Sequence, residues 1–225
     1  MARRALGAAG GAVRWELTTD EPYVDPGVSR VTDYLFVSGY DCLAAEGVVD
    51  AHAITCAVNC VKGLKKRHFA TARALDYHHV SLEDSEKQKL GSSVEKVAAL
   101  VRKHRDAGGR TLIYCGLGIS RSATLAISSL MIIEGLRLKP AYQVQRSRPI
   151  VCPNVGFFEQ LIALERARFP ATEPSVHLIE PTAGVRVADV VWHEICEEVR
   201  HKLGSLQVAA AQAANVQPSR LSPPS

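Results

Sequence analysis

The stretch from Thr111 to Thr124 constrains the fold of this 225-residue chain more than any other part of the sequence. A short apolar run ends at Cys115, two glycines follow within three positions, and Arg121 precedes an apolar segment that reaches Glu134. Apolar runs separated by glycine predict a buried strand, a tight loop and a helix in immediate succession. The chain is therefore expected to contain a strand–loop–helix unit near its centre.

The segments around this unit alternate between strand-like and helix-like patterns. We predict strands at 31–37, 53–59, 77–82 and 110–114, and helices at 42–48, 92–107, 123–134, 140–146 and 154–168. Such alternation is typical of an α/β domain with a largely parallel sheet covered on both faces. We therefore predict a three-layer α/β fold in which a central, mostly parallel sheet of about four or five strands is flanked by helices.

The composition changes on both sides of residues 28–170, which we take as the folded domain. Residues 1–27 contain prolines and glycines and predict a flexible leader. Residues 171–184 predict a linker, and apolar side chains at helical spacing predict an amphipathic helix at 186–203. That helix either packs on the core or binds a partner. The rest of the chain, to residue 225, predicts a disordered tail.

Charge and composition exclude several classes of protein. The net charge of +4 suits an anionic ligand, but the sequence has no nucleic-acid-binding motif, and we expect no nucleic-acid partner. Its longest basic run, Lys65-Lys66-Arg67, predicts a solvated turn, with a docking patch for a phosphoprotein as the alternative. No apolar stretch approaches the roughly 18 residues of a membrane span.

The six cysteines are scattered and form no CxxC pair, which predicts free thiols in a reducing compartment. We expect a cytoplasmic location; a nuclear one is also compatible, and the arginines of the leader give a weaker mitochondrial alternative. Asp76, His78 and His79 do not all share one face of a strand, so we predict no metal site. No cofactor is predicted.

The loop after Cys115 has the features of an anion-binding site. Successive backbone N–H groups in such a loop form a nest, and the amino end of the following helix adds its positive dipole. Gly116 and Gly118 allow backbone angles and close approaches that a side chain would block. Arg121 supplies a planar fork that matches two phosphate oxygens.

A cysteine thiol at such a loop is suited to phosphoryl transfer. Helix amino ends and nearby cations lower the pKa of a cysteine by several units, which makes a thiolate available at neutral pH. That thiolate would already be placed to attack phosphorus. Proteolysis fits less well, because no histidine base adjoins Cys115 in the sequence.

The sequence Cys-x5-Arg-Ser, from Cys115 to Ser122, resembles the signature of the protein tyrosine phosphatase superfamily. Arg148-Pro149 and Pro-Asn-Val-Gly-Phe, which ends at Phe157, follow in order and resemble the dual-specificity branch. The resemblance extends over residues 28–169. It implies an atypical dual-specificity phosphatase that acts on phosphorylated proteins through a phosphocysteine intermediate. Substrates would carry phosphotyrosine and phosphoserine or phosphothreonine.

The resemblance also implies roles for individual residues. Cys115 is the expected nucleophile, and Arg121 binds phosphate together with the loop residues Gly116, Leu117, Gly118, Ile119 and Ser120. Asp84 is the expected general acid and base, with Glu83 as its rival. Ser122 corresponds to the hydroxyl that assists departure of the thiolate, or it caps the helix. Asn154 corresponds to the residue that braces the loop, and it also has the pattern of a helix cap.

One position departs from the family pattern. The family usually has histidine immediately before the nucleophile, where it helps to hold the loop, and this chain has Tyr114. A tyrosine donates one hydrogen bond but carries no positive charge. We therefore expect a weakened enzyme, with an inactive pseudophosphatase that binds phosphoproteins as the alternative. Phosphoinositide and RNA 5′-phosphatases are weaker alternatives, and the sequence leaves the substrate protein and the oligomeric state open.

Overall fold

The computed structural model describes residues 27–214 together with two short antiparallel strands, β1 (Arg3–Leu6) and β2 (Arg14–Leu17). The chain divides into two compact units. One comprises Val24–Val190, and the other comprises Met1–Tyr23 with Val191–Ser225.

The larger unit contains a five-stranded sheet. Its strands are β3 (Ser29–Arg30), β4 (Leu35–Ser38), β5 (Cys56–Val61), β6 (Asp76–Leu82) and β7 (Thr111–Tyr114). They lie in the order β3-β4-β7-β5-β6, and every pairing is parallel except β3 with β4. The predicted α/β fold with a central, mostly parallel sheet flanked by helices is confirmed.

The central strands are almost wholly apolar because both faces of the sheet are covered. All four residues of β7 are buried, as are all four of β4. On one face, Leu112 and Tyr114 join an apolar cluster with Phe36, Ile54 and Phe69. The helices α2 (Ser93–Asp106), α3 (Arg121–Ile133) and α6 (Val155–Arg168) provide most of the remaining core, and α3 is apolar almost all round because it lies between α2, α6 and the sheet.

The shorter elements differ from their predictions for local reasons. In place of a helix at 42–48, the chain forms a 3-10 helix, Asp41–Ala44, and then α1, Val48–Ala51. Gly47 separates them because its φ of +75° cannot continue a helix. Two further short helices, α4 (Leu138–Ala141) and α5 (Val144–Ser147), occupy the segment predicted as one helix at 140–146.

The structure corrects the predicted linker. Residues 171–184 were predicted as a linker, but they contain β8 (Leu178–Thr182), which forms an antiparallel hairpin with β9 (Val185–Ala188) around Gly184, whose φ is +75°. Val187 is buried, and Arg186 pairs with Glu159 of α6 at 2.7 Å. The hairpin therefore packs on the domain through contacts between residues distant in sequence, which composition does not reveal.

The ends of the chain also differ from expectation. The strands β1 and β2 lie within the segment predicted as a flexible leader. Helix α7 spans Asp189–Ala214, so it begins after the predicted start at 186 and continues through residues predicted as disordered tail. The rest of that predicted tail, 215–225, lies outside the described residues. None of the helices that the structure describes is long and apolar enough to cross a membrane.

Candidate active site

The central strand β7 delivers Cys115 to the carboxyl edge of the sheet. Residues 115–120, here called the cysteine loop, connect β7 to the first residue of α3, Arg121. Carboxyl edges of parallel strands are where α/β proteins usually bind ligands. The predicted strand–loop–helix unit is thus present, with the loop at the amino end of α3.

The thiol of Cys115 is 1% exposed and receives two hydrogen bonds. The backbone N–H of Gly118 lies 3.3 Å from its sulfur, and the Ser122 hydroxyl donates to it at 3.2 Å. Ser122 lies inside α3 rather than at its cap, so its hydroxyl is available to the sulfur. Two donors aimed at one sulfur stabilise negative charge on it.

The cysteine loop is braced by Arg148, a completely buried side chain. Its Nη2 donates to the carbonyl oxygen of Leu117 at 2.8 Å, and its Nε donates to that of Gly118 at 2.9 Å. In a planar trans peptide, a carbonyl and the next N–H point in opposite directions. Because these two carbonyls point at Arg148, the N–H groups of Gly118 and Ile119 point the other way, as the contact from Gly118 to the sulfur requires.

Gly118 has no room for a side chain. Its φ is +69°, and a Cβ there would lie 2.6 Å from both the Ser38 carbonyl oxygen and Nη2 of Arg148. In the sequence, Arg148 is recognisable only as part of the Arg148-Pro149 motif, and no role was predicted for it. The Arg-Pro motif could have drawn attention to this residue, but the carbonyl groups that Arg148 binds are identified only by the fold.

Arg121 has an unused hydrogen-bond donor. Its side chain is 16% exposed, and its buried Nε has no hydrogen-bond partner among the residues that the structure describes. The closest carboxylate oxygen, Oδ2 of Asp84, lies 3.6 Å away, which is beyond hydrogen-bond distance. A buried donor without a partner is unusual, and at the amino end of a helix it is suited to an anion.

Asp84 lies against the cysteine loop although it is 31 residues before Cys115 in the sequence. Its Oδ1 accepts hydrogen bonds from the Ser120 hydroxyl at 2.7 Å and from Nδ2 of Asn154 at 3.1 Å. The rival Glu83 instead pairs with Lys62. The structure therefore brings Asp84, and not Glu83, to the predicted site.

Asn154 contacts both the amino end of α6 and the cysteine loop. Its Oδ1 accepts from the backbone N–H of Phe157 at 2.9 Å, which caps α6. Its own N–H donates to the Ser120 hydroxyl at 3.2 Å, and its Nδ2 reaches Asp84. The start of α6 is therefore tied to the cysteine loop.

Tyr114 is completely buried on the other face of β7 from Cys115, as the alternation of a strand requires. Its hydroxyl lies 3.1 Å from that of Tyr77, which accepts from Nδ2 of Asn59 at 3.0 Å. Burial, followed by the hydrogen bond to Tyr77, raises the pKa of Tyr114, so its hydroxyl stays neutral. Within the part of the chain that the structure describes, the Tyr114 hydroxyl contacts Tyr77 and forms no hydrogen bond with the Cys115 sulfur.

The remaining candidates lie elsewhere. Asp76 pairs with His78 at 2.8 Å, whereas Nε2 of His79 lies 2.8 Å from the Val61 carbonyl oxygen. The described residues contain no group of three or more His, Cys, Asp or Glu side chains placed to hold a metal ion. None of the six cysteines, all of which lie in the described part of the chain, forms a disulfide bond.

A cysteine delivered by a central parallel strand into an arginine-bearing anion loop defines the cysteine-based phosphatase class. The family model for the dual specificity phosphatase catalytic domain matches residues 35–167. The chain belongs to the dual specificity phosphatase family, and the resemblance found in its sequence is confirmed.

Relatives agree with this assignment. The chain is 32% identical over 173 residues to human dual specificity protein phosphatase 14. This match covers 75% of the present chain and 82% of the relative. It is 34% identical over 196 residues to the uncharacterized protein ZK757.2 of Caenorhabditis elegans, which covers 83% of this chain. The chain spans 64% of the length of that nematode protein.

Solved structures share the fold. Human DUSP28 is similar to this chain with a TM-score of 0.59 and 30% identity, over 64% of this chain and 96% of that one. A mouse putative dual specificity phosphatase, complexed with zinc tungstate, gives a TM-score of 0.59 and 28% identity over 69% of this chain and 96% of its own. These findings support a cysteine-based protein phosphatase.

Proposed function

We propose that this chain hydrolyses phosphotyrosine and phosphoserine or phosphothreonine in proteins, with Cys115 as the nucleophile. The observation that carries the proposal is the buried Nε of Arg121, which has no hydrogen-bond partner among the described residues and lies at the loop that contains the Cys115 sulfur. An oxyanion bound there would accept hydrogen bonds from Arg121 and from the loop N–H groups. A phosphoryl group bound there is presented to the sulfur.

In the first step, the Cys115 thiolate attacks phosphorus and forms an S–P bond while the P–O bond to the substrate side chain breaks. Asp84, in its acid form, gives a proton to the departing oxygen, which leaves as the free hydroxyl of tyrosine, serine or threonine. Arg121 and the loop N–H groups bind the equatorial oxygens, where charge is concentrated in the transition state.

In the second step, water hydrolyses the phosphocysteine. Asp84, now a carboxylate, accepts a proton from the water as its oxygen bonds to phosphorus, and the S–P bond breaks. The sulfur leaves as a thiolate, and the Ser122 hydroxyl, 3.2 Å from it, stabilises the charge that returns. Inorganic phosphate and the original thiolate are the products.

Tyr114 favours one alternative, a phosphoprotein-binding pseudophosphatase. The family's histidine supplies charge and hydrogen bonding before the nucleophile, and the Tyr114 hydroxyl contacts Tyr77 instead. A protein of this kind binds the phosphorylated side chain in the same loop but turns it over too slowly to measure. The two functions differ in the chemical step and not in the binding of phosphate.

The test is hydrolysis of a small aryl phosphate by the wild type and by Cys115→Ser, with thiols reduced and a metal chelator present. We expect activity in the wild type and a loss of at least about 10⁴-fold in the variant, because the hydroxyl is a far weaker nucleophile than a thiolate. Cys196→Ser, at a partly buried cysteine of α7, is the matched control and should keep its activity. Folded wild-type protein without activity would favour the pseudophosphatase.

A further inference from the structure

The connection between β5 and β6 carries positive charge. We call residues 62–69 the basic loop, which contains the exposed side chains Lys62, Lys65, Lys66 and Arg67. Lys62 pairs with Glu83, the neighbour of Asp84. Lys65 and Lys66 form no ion pair within the part of the chain that the structure describes, so their charges are available to a ligand.

The basic loop begins at the same edge of the sheet as the cysteine loop. Strand β5 lies beside β7 in parallel register, with Asn59 opposite Tyr114. The residues that follow these two positions therefore leave the sheet side by side. Lys62 is three residues beyond Asn59, and Cys115 directly follows Tyr114.

Two further anchors fix the basic loop against the active site. Nε2 of His68 lies 2.9 Å from the Tyr40 carbonyl oxygen, and its ring stacks on that of Tyr40 with centroids 3.5 Å apart. The N–H of Tyr40 donates at 2.8 Å to the carbonyl oxygen of Gly116, in the cysteine loop. Within the basic loop, the Leu64 carbonyl oxygen accepts a hydrogen bond from Nδ2 of Asn59, the strand residue opposite Tyr114. Since a residue spans at most about 3.6 Å, Lys65 lies within about 11 Å of His68, Cα to Cα.

Apolar side chains lie on the same two loops. Leu64 of the basic loop is 44% exposed, and Leu117 of the cysteine loop is 53% exposed. An exposed leucine contributes to binding when it covers an apolar part of its partner. A peptide offers both apolar and anionic side chains, whereas a plain polyanion offers only charge. The combination therefore favours a polypeptide that carries negative charge.

We propose that the basic loop binds an acidic side chain or a second phosphate group of the substrate protein, in the segment that flanks the phosphorylated side chain. The proposal rests on the proposed function and names its substrate class. The positive charges act on the flanking residues, while the cysteine loop binds the target phosphate. The chain thus prefers phosphoproteins with acidic or multiply phosphorylated segments.

The expected preference is moderate and sensitive to salt. Exposed charge pairs contribute little individually, and their main effects are on specificity and association rate. Three such pairs give about a tenfold preference, equivalent to about 1.4 kcal/mol in total. Exposed charges are screened at high ionic strength, so the preference should largely disappear at about 0.5 M salt.

The experiment compares three synthetic peptides with the same phosphotyrosine core. One has neutral flanks, one has aspartates and glutamates on both sides, and one has neutral flanks with a nearby phosphothreonine, so that carboxylate and phosphate are tested separately. The measured quantity is the ratio of kcat/KM for each anionic peptide to that for the neutral peptide. Because both values in this ratio come from the same variant, any effect of the substitution on the chemical step cancels.

The variants are Lys65→Ala/Lys66→Ala/Arg67→Ala and a matched control, Lys96→Ala/Arg102→Ala/Arg166→Ala, which removes three exposed positive charges from α2 and α6. We expect a ratio of about ten in the wild type and the control, and below two in the basic-loop variant. A wild-type ratio near one, or an equal loss in the control, would overturn the proposal.

Binding separates this proposal from the proposed function. Fluorescence anisotropy with the Cys115→Ser protein reports the peptide preference without turnover. If the wild type fails to hydrolyse any phosphate ester but Cys115→Ser still binds the anionic peptides about tenfold more tightly, the proposed function fails and the basic-loop proposal stands. Tighter binding of single-stranded RNA or of phosphatidylserine vesicles than of the acidic peptide would overturn it.

Discussion

The two ends of the central sheet contain similar kinds of side chain but differ in what those side chains have left to bind. At the amino end, the Thr55 hydroxyl lies 3.2 Å from Nδ1 of His104, whose Nε2 lies 3.1 Å from Asp76. A hydroxyl, an imidazole and a carboxylate in a row have the composition of a catalytic triad. At the carboxyl end, Cys115, Ser122, Arg121 and Asp84 surround the cysteine loop.

The three side chains of this row already have hydrogen-bond partners. The Thr55 hydroxyl donates to the Arg110 carbonyl at 3.2 Å and accepts from the Arg110 N–H at 3.0 Å. Both ring nitrogens of His104 are also in contact with partners. At the carboxyl end, the buried Nε of Arg121 has no hydrogen-bond partner in the described part of the chain. The row at the amino end and the group around the cysteine loop therefore differ in unused hydrogen-bonding capacity more than in residue type.

The largest effect that sharpens this comparison is expected at Asp84. Asp84→Asn should lower kcat by about 10²- to 10³-fold, because general acid catalysis contributes this much and an amide supplies no such proton. Glu83→Gln, which alters the neighbouring carboxylate paired with Lys62, is the control and should have little effect. Equal losses in both variants would contradict the assignment of the acid.

A smaller loss is expected when the brace of the cysteine loop is altered. Arg148→Lys keeps the charge but loses the fork that binds two carbonyls, so kcat/KM should fall by about 10- to 100-fold as the loop N–H groups lose their alignment. The inhibition constant for vanadate should rise with it, which a purely structural change would not produce. Arg137→Lys, at an arginine that binds Glu165 at 3.1 Å, is the matched control. Unchanged vanadate inhibition would show that Arg148 does not position the loop.

Tyr114 offers a gain of function. Tyr114→His restores the residue usual in the family and should raise kcat/KM near neutral pH several-fold, by supplying charge and hydrogen bonding before the nucleophile. Tyr114→Phe is the matched control, since it removes only the hydroxyl that contacts Tyr77. It should lower the free energy of unfolding by about 1 kcal/mol and leave activity unimproved. An equal or lower activity in Tyr114→His would refute the explanation of a weakened enzyme.

The smallest effect on activity is expected from a substitution at the amino end of the sheet. Asp76→Asn should change how the free energy of unfolding depends on pH and leave kcat unchanged. The hydrogen bond from His104 is the main cause that lowers the pKa of Asp76 from 3.8 to about 2. A carboxyl whose pKa is lower in the folded state stabilises the fold above its unfolded pKa, and that contribution is lost as the pH falls from about 4 to about 2. Denaturant unfolding across this range should show a smaller loss in Asp76→Asn than in the wild type. A change in kcat in this variant would break the comparison.

The sequence predicts most of the larger unit because its signals are local. The apolar run before Cys115, the glycines of the loop and the long apolar segment after Arg121 lie next to one another, so the strand, loop and helix follow directly. The carboxyl edge of the sheet then follows from the parallel arrangement. Asp84 was assigned through the family resemblance, since nothing in its neighbourhood distinguishes it from Glu83.

The remainder depends on contacts between residues that are distant in the sequence. Arg148 looks like an ordinary basic residue before a proline, and its role depends on the loop carbonyls 30 and 31 residues earlier. The hairpin of β8 and β9 is short and rich in turn-forming residues, and it forms a regular element only because α6 offers a surface to it. The direction of the Tyr114 hydroxyl depends on Tyr77, a residue of the outermost strand.

The guanidinium of Arg148 has a consequence for the synthesis of the protein. It contacts the Gly27 carbonyl at 2.8 Å, across 121 residues of sequence, as well as the carbonyls of the loop that contains Cys115. Because synthesis runs from the amino end, the thiol and all of its loop are added to the chain before the side chain that orients them. A chain truncated before this arginine lacks the side chain that joins residue 27 to the cysteine loop, so the loop and the first strand of the sheet lose a shared contact.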